Sequence, residues 1–158
     1  RVTNLFFLTS GIARYYYRDS GGREFNKSFS APGQVLSSLS SLVDNEPAPF
    51  SIQVLGPAEC LGIEYADFLS LVAEDTQWAQ LRVRLLERLV IKKERREADF
   101  LLLSATQRYL AFLRDYAHIA DLIPNYHIAS YIGITEVALS RIRGRLGLTD
   151  CAPAINPG

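Results

Sequence analysis

The chain lacks several of the features that assign a protein quickly to a class. Its 158 residues include only two cysteines, Cys60 and Cys151, which stand far apart and outside any metal-ligand spacing. We therefore expect no disulfide framework, and a reducing cytoplasm fits this cysteine usage. No run approaches the roughly 18 uninterrupted apolar residues of a membrane span, so we expect no membrane partner and a cytoplasmic location.

Charge and histidine are scarce in the places where they would be informative. The 17 basic and 17 acidic residues cancel, so DNA binding would have to come from a local basic cluster. The first histidine is His118, and an enzyme on a cupin-like barrel would need His and carboxylate metal ligands much earlier in the chain. Neither His118 nor His127 has a ligand partner at a suitable spacing. We expect no enzyme, no cofactor and no metal site.

The first part of the chain has the punctuation of antiparallel β structure. Strand-like runs at residues 5–8, 12–18, 23–29 and 50–55 are separated by Gly and Pro turn signals. A Ser-rich stretch at residues 37–41 is interpreted as a loop, and Cys60 as a buried small side chain in the last strand. Several short strands of this kind predict a barrel or roll. Its aromatic side chains are interpreted as a filled core or as the lining of an apolar effector pocket.

After Gly62 the periodicity becomes helical. Residues 67–72 predict a short helix, and Asp75 or Thr76 can cap a long one that runs to about residue 103. Roughly 25 helical residues span about 37 Å, which is too long to pack on one small domain. A second copy of the chain would cover its apolar stripe, although a helix folded back on its own β domain is the alternative. The predicted dimer contacts are Trp78, Leu81, Leu85 and Leu89.

Two polar segments stand near the end of the long helix, one within it and one just after it. The charge run at residues 92–97 is interpreted as solvated helix surface without chemistry. Ser104 and Gln107 have the spacing of a capping box, which predicts that a further helix begins after Ser104.

The most informative segment runs from residue 123 to residue 148. Pro124 stops the preceding helix, Asn125 is a good N-cap, and Gly133 permits a sharp turn before a second helix that Thr135 can cap. Two short helices crossing at such a turn are typical of a helix-turn-helix. The predicted DNA contacts are the outward-facing residues Thr135, Glu136, Val137, Ser140, Arg141, Arg143 and Arg145.

These side chains predict distinct roles at a DNA surface. Arg141 suits a bidentate pair to guanine, worth about 1–3 kcal/mol of discrimination, and Ser140 reaches a base edge or a phosphate. Arg143 and Arg145 stand near the helix end, where contacts to phosphates position the protein without specifying sequence.

The order of these elements resembles the cyclic-AMP receptor protein and fumarate-nitrate regulator (Crp/Fnr) family of bacterial transcription factors. The resemblance lies in LFFLTSGIARYYYRDSGGREFNKSFSAPGQV, SATQRYLAFL and GITEVALSRIRGRL, and it extends from about residue 4 to residue 148. It implies an α+β fold: a cyclic-nucleotide-binding-like β-roll (a double-stranded β-helix) at residues 1–74, a dimerisation helix at residues 75–103, and a winged helix-turn-helix at residues 104–158. It also implies an N-terminal segment before Arg1.

The resemblance further implies the partners of such a regulator. These are a homodimer, a two-fold symmetric site on double-stranded DNA, RNA polymerase and a small-molecule effector. The family's nucleotide-binding members place a Gly-Glu and an Arg-Ser pair in the β-roll, where this chain has Ser37-Ser38 and Ala48-Pro49. A buried cyclic phosphate needs a cationic partner, so we expect no cyclic AMP or cyclic GMP in the usual mode. The candidate effector pocket comprises Ser37, Ser38, Tyr15, Tyr17, Phe25 and Phe50.

Two alternatives to a DNA-binding regulator remain. The first is a ligand-sensing or protein-docking β-roll without DNA binding, which the neutral charge and the unusual Glu136 favour. The second is the cupin-like enzyme considered above.

Overall fold

The computed structural model describes residues 1–148, in which strands precede helices. The first half contains β1 (Asn4–Ser10), β2 (Ala13–Arg18), β3 (Glu24–Ser30), β4 (Val35–Leu36), α1 (Leu39–Asp44), β5 (Ser51–Val54) and β6 (Glu59–Glu64). The second half contains α2 (Tyr65–Glu74), α3 (Thr76–Leu102), α4 (Ala105–Asp115), a 3-10 turn (Ala120–Leu122), α5 (Asn125–Ile132) and α6 (Glu136–Arg145). The α+β class, the antiparallel strands and the long helix are thereby confirmed.

The strands form two three-stranded antiparallel sheets, with the orders β4-β1-β6 and β3-β2-β5. A small apolar cluster of Leu8, Ala13, Tyr15 and Leu36 draws on both sheets. The β2–β3 register shifts between Tyr15 and Tyr16, where Lys27 of β3 has no partner on β2. Four consecutive residues of β2, from Ala13 to Tyr16, are buried, so both faces of this strand are covered.

A larger apolar cluster joins the two halves of the chain. Phe29 of β3 is fully buried among rings of the helical half, with centroid distances of 6.0 Å to Phe112, 5.6 Å to Tyr116 and 5.5 Å to Tyr131. Ile12 and Ala31 of the β half lie in the same cluster. The helical half contributes Tyr109, Phe112, Tyr116, Ile119, Ala120, Ile123, Ile128, Ala129, Tyr131, Ile132, Leu139 and Ile142.

The free edge of β3 is covered by helices rather than by another strand. The Asn26 N–H donates to Ser130 Oγ at 2.9 Å, and Lys92 Nζ donates to the Phe29 carbonyl oxygen at 2.9 Å. The Phe29 N–H donates to the Tyr116 hydroxyl at 3.4 Å. Buried main-chain groups need such partners, and side chains of α3, of α5 and of Tyr116, just after α4, supply what a neighbouring strand would otherwise provide.

This edge corrects the interpretation of the charge run at residues 92–97 as solvated surface. Lys92 reaches the β3 edge, and the Arg96 guanidinium lies 4.0 Å from the centroid of the Tyr131 ring and donates to the Tyr131 carbonyl oxygen. The other four residues of the run are exposed. Two of the six side chains therefore hold α3 against the rest of the chain.

The helix starts test the capping predictions. The Asp75 side chain caps α3 by accepting from the Gln77 N–H, and both hydrogen bonds of the Ser104–Gln107 capping box are present. The prediction that Asn125 caps α5 is wrong, because the N-cap of α5 is Pro124 and no side chain caps that helix. Asn125 is the first helical residue.

Two predictions in the β half are also wrong. Cys60 is exposed, since it lies on the edge strand β6, whose residues are exposed or half-buried. The Ser-rich loop includes a helical turn and a half, α1, in which Ser41 is buried. The buried Ser41 hydroxyl accepts a hydrogen bond from the Val2 N–H at 2.7 Å, so this polar group has a partner.

Candidate nucleic-acid interface and sensor cavity

The connection between α5 and α6 is a tight turn. Gly133 has a φ of 76°, a left-handed conformation that residues with a Cβ adopt at a cost. The Ile134 N–H donates to the Ala129 carbonyl oxygen at 3.0 Å and closes the turn. Thr135 then caps α6 by accepting from the Ala138 N–H at 3.2 Å. The turn fixes the direction of α6 relative to α5.

The α6 helix has one apolar face and one exposed face. Leu139 and Ile142 are 1% and 3% exposed and belong to the large core cluster. The opposite face presents six of the seven side chains predicted to contact DNA: Thr135, Glu136, Val137, Ser140, Arg141 and Arg145. Among the described residues, no ion pair involves Arg141 or Arg145. These two guanidinium groups give the exposed face positive charge beside the single carboxylate of Glu136.

Arg143 occupies a different position from the other six side chains. It is half-buried, and its Nη1 donates to Asn125 Oδ1 at 2.6 Å. Arg143 therefore links the last turn of α6 to the first residue of α5. No local pattern indicates this contact, because Asn125 and Arg143 are 18 positions apart and Asn125 was expected to cap α5.

The predicted dimer residues lie along a helix that is incompletely covered by its own chain. None of the residues of α3 is buried. Trp78, Leu81 and Leu85 are half-buried, and Leu89 is 37% exposed. Trp78 packs edge-on against Phe68 of α2 at a centroid distance of 6.0 Å, so part of its surface is already used within the chain. The neighbouring Val83, Val90 and Ile91 are more exposed than Leu89.

No helix in the described part of the chain is long and apolar enough to cross a membrane.

A cavity of about 310 Å³ lies in the β half. Three of the six predicted pocket residues, Ser37, Ser38 and Phe50, contribute to its lining, which consists of Val2, Phe6, Leu36, Ser37, Ser38, Ala48, Phe50 and Ile52. None of these side chains is charged. The two serine hydroxyls already have partners, because Ser37 donates to the Asn4 carbonyl oxygen and Ser38 contacts the Ser40 hydroxyl.

The other three predicted pocket residues do not line this cavity. Tyr15 is buried and donates its hydroxyl to the Val35 carbonyl oxygen at 3.0 Å. Phe25 and Tyr17 are 46% and 42% exposed. The Tyr17 and Phe50 rings instead face Lys27, whose Nζ lies 5.2 Å and 3.8 Å from their centroids. Burial of this ammonium group, together with repulsion by Lys93, lowers the pKa of Lys27 to about 8.

A buried polar network connects the β half to α5, and the sequence patterns did not predict it. Arg14 is 4% exposed and donates to Gln53 Oε1, to Asn26 Oδ1 and to the Glu24 carboxylate. The Asn26 amide nitrogen in turn contacts Nδ1 and the carbonyl oxygen of His127, each at 3.1 Å. In a strand with one buried face, Arg14 would be expected on the solvent side, opposite Ala13 and Tyr15. The only available signal was a basic residue between apolar ones.

In residues 1–148 there is no set of three or more His, Cys, Asp or Glu side chains placed to hold a metal ion. Cys151 and the wing that the Crp/Fnr resemblance implies fall after Leu148, outside the described residues.

Comparisons with known proteins find one matching family and several similar solved structures. Residues 1–75 match the family described as "Cyclic nucleotide-binding domain". No curated protein matches the sequence. FixK2 from Bradyrhizobium japonicum is 18% identical with a TM-score of 0.79, and the match covers 92% of this chain and 75% of that one.

Two other solved structures show the same similarity. The c-di-GMP responsive global regulator CLP from Xanthomonas campestris is 16% identical over 92% of this chain and 77% of its own, with a TM-score of 0.70. A CooA variant from Carboxydothermus hydrogenoformans is 18% identical over 98% and 72%, with a TM-score of 0.73. At these identities the likeness concerns the fold. The first half of the chain is thus a cyclic nucleotide-binding-like domain, and the described chain as a whole has the fold of FixK2, CLP and CooA.

Proposed function

We propose that this chain is a sequence-specific DNA-binding transcription regulator of the Crp/Fnr family that acts as a homodimer, and that it is not an enzyme. The observation that carries the proposal is the exposed face of α6. It presents Ser140, Arg141 and Arg145 to solvent while Leu139 and Ile142 anchor the helix in the core. A helix held in this way after a tight turn has the shape and chemistry to enter a major groove.

The side chains of this face suit different parts of the DNA. Arg141 is exposed and free to make a bidentate contact to guanine, and Val137, which is 62% exposed, suits contact with a thymine methyl group. Arg145, one turn further along, suits a phosphate. Arg143 supports the face through Asn125 rather than by extending toward DNA.

Two-fold symmetry of the DNA site would come from pairing of α3 helices. A helix of 27 residues without one buried side chain leaves apolar area that a second copy can cover. A dimer would place the two α6 helices at half-sites about 34–36 Å apart. The partners of the proposed regulator are therefore double-stranded DNA, a second copy of the chain and, for transcriptional output, RNA polymerase.

The β half is proposed as a sensor that does not bind cyclic AMP or cyclic GMP in the usual mode. The cavity lining contains no charged side chain, and Ala48 stands where nucleotide-binding members of the family place an arginine. Arg14 is buried elsewhere, and the Glu24 carboxylate already neutralises it. An uncharged, largely apolar effector suits this cavity better than a cyclic phosphate or the c-di-GMP to which CLP responds.

Selection of bound sequences from a random DNA pool, followed by affinity measurements on the selected site, tests the proposal. Arg141→Ala should remove preference at one position of each half-site, and Arg145→Ala should weaken all sequences alike. Arg95→Ala, at an exposed position of α3, is the matched control for loss of one positive charge. Wild-type affinity should fall steeply with salt. Selection of no common sequence would refute DNA reading and favour the alternative, a sensing or docking β-roll without DNA binding.

A further inference from the structure

The contact between β3 and α5 is the most polar part of the junction between the two halves. We define the β3–α5 clamp as Asn26, His127 and Ser130. The Asn26 N–H donates to Ser130 Oγ at 2.9 Å, and the Asn26 side-chain amide donates to the His127 carbonyl oxygen at 3.1 Å. Ser130 Oγ also donates to the Glu24 carbonyl oxygen at 3.3 Å. Because α5 carries the turn into α6, these bonds also fix the direction of α6.

The clamp requires His127 to be neutral. The Asn26 amide nitrogen lies 3.1 Å from His127 Nδ1. The imidazole Nδ1 can accept a hydrogen bond from this amide only when it carries no proton. The amide cannot be reversed to suit a protonated ring, because Asn26 Oδ1 already accepts from Arg14 Nη1 at 3.0 Å. Protonation at Nδ1 would set donor against donor in a site where His127 and Asn26 are 6% and 4% exposed.

The charged surroundings act in the same direction. Burial, followed by the Arg14 guanidinium of β2, lowers the pKa of His127 to about 4, and the Glu24 carboxylate of β3 opposes this only in part. On α5 itself, the Tyr126 ring lies 4.1 Å from the imidazole between centroids. The other clamp residues, Asn26 and Ser130, are neutral.

We propose that the β3–α5 clamp is a proton-sensitive device that holds α6 in its DNA-binding direction and opens when His127 is protonated. This inference rests on the proposed DNA-binding function. It assigns a regulatory input, acidification, to a site that lies outside the cavity of the β half.

The sign and size of the effect follow from linkage. His127 has a lowered pKa in the closed clamp, so the clamp is fully stabilised above the ordinary value of 6.5 and loses stability as the pH falls from 6.5 toward 4. With these two values, the closing equilibrium should be about 4-fold weaker at pH 6.0 and about 10-fold weaker at pH 5.5 than at pH 7.5.

Amide hydrogen exchange measures the clamp without any DNA. After correction for intrinsic rates, the protection factor of the Asn26 N–H should fall about 10-fold from pH 7.5 to pH 5.5 in the wild type, following the linkage relation. In His127→Gln, which keeps a polar side chain but does not titrate, it should stay constant. Equal pH profiles in the two proteins would overturn the proposal.

A second variant reverses the expected sign. In Asn26→Asp, a carboxylate faces the imidazole and favours its protonated form, so the NMR titration of His127 should move to higher pH than in the wild type. The chain has two histidines, and His127→Gln therefore assigns the signal. A titration that moves to lower pH, or does not move, would contradict the proposed geometry.

DNA affinity then tests the regulatory part. When the pH is lowered from 7.5 to 5.5, the affinity of the wild type for the selected DNA site should fall relative to that of His127→Gln. At a pH where the exchange data show that the open clamp is populated, an unchanged ratio would show that the clamp does not direct α6 and would overturn the inference. If no variant binds DNA at pH 7.5, the proposed function fails, while the exchange and titration results still decide whether the clamp responds to protons.

Discussion

Phe29 offers a sharp test of whether the two halves of the chain share one core. It belongs to β3, yet three of its ring neighbours lie on α4, just after α4 and on α5. Replacing Phe29 by alanine removes a fully buried ring from the middle of the joint cluster. Phe25→Ala on the same strand is the matched control, because the Phe25 ring is 46% exposed.

The expected cost follows from burial and cavity formation. Buried Phe→Ala substitutions cost about 3–5 kcal/mol, and the edge-on ring pairs place Phe29 toward the upper end of that range. A chain of this size loses about 2–4 °C of Tm per kcal/mol, so Phe29→Ala should lower the Tm by roughly 10 °C or more. Phe25→Ala should cost no more than about 1 kcal/mol, since its ring is only half removed from water.

Urea unfolding followed by circular dichroism gives the change in the free energy of unfolding. Amide hydrogen exchange shows which helices and strands lose protection. We expect protection to fall in α4 and α5 as well as in β3 and its pairing strand β2, because the cluster joins β3 to both helices. Phe29→Leu, at a lower cost, extends the series if the alanine variant does not fold. Equal losses for Phe29→Ala and Phe25→Ala, or loss of protection confined to the strands, would refute a shared core.

Three further predictions concern the turn, the dimer and the cavity. Gly133→Ala should cost about 1–3 kcal/mol by urea unfolding, because φ is +76° and the new Cβ would lie 2.7 Å from Phe100 Cζ; Gly144→Ala, in open space on α6, should instead stabilise by about 0.5–1 kcal/mol, and the reverse order would contradict the turn geometry. The double substitution Leu85→Asp with Leu89→Asp should convert a sedimenting dimer to monomer, whereas Leu61→Asp, at an exposed position of β6, should not; an unchanged sedimentation profile for the double variant would rule out the α3 dimer. Neither cyclic AMP nor cyclic GMP should raise the Tm, because no charged side chain lines the cavity, and a concentration-dependent increase would show that another group binds the phosphate.

The helical half was predictable because its signals are local. Capping residues and apolar spacing acted within a few positions, and the start of α3, the capping box of α4 and the turn at Gly133 all depend on neighbours in the sequence. The exposed face of α6 was accessible for the same reason, since helical periodicity alone separates Leu139 and Ile142 from Ser140 and Arg141.

The contacts between the halves were not predictable in this way. Asn26 and Ser130 are separated by 104 positions, and nothing local indicates that a strand edge will be completed by a serine hydroxyl. Lys92 and Arg96 have the composition of a solvated surface, and only the position of β3 and Tyr131 gives them partners. The burial of Arg14 depends on its contacts with Gln53 of β5 and Asn26 of β3, and the pattern within β2 alone does not indicate these partners.

Strand pairing connects the cavity of the β half to the β3–α5 clamp. Ile52 lines the cavity and pairs with Tyr15 of β2, which pairs on its other side with Ser28 of β3. Asn26 and Phe29, which hold α5 and the joint core, lie within two residues of Ser28 on that same strand. A ligand that displaces β5 and a proton that opens the clamp would therefore both act on β3, and their effects on α6 should not be additive. Measuring the acid-induced loss of Asn26 protection with the cavity narrowed by Ala48→Leu would show this coupling, and identical losses with and without that change would separate the two sites.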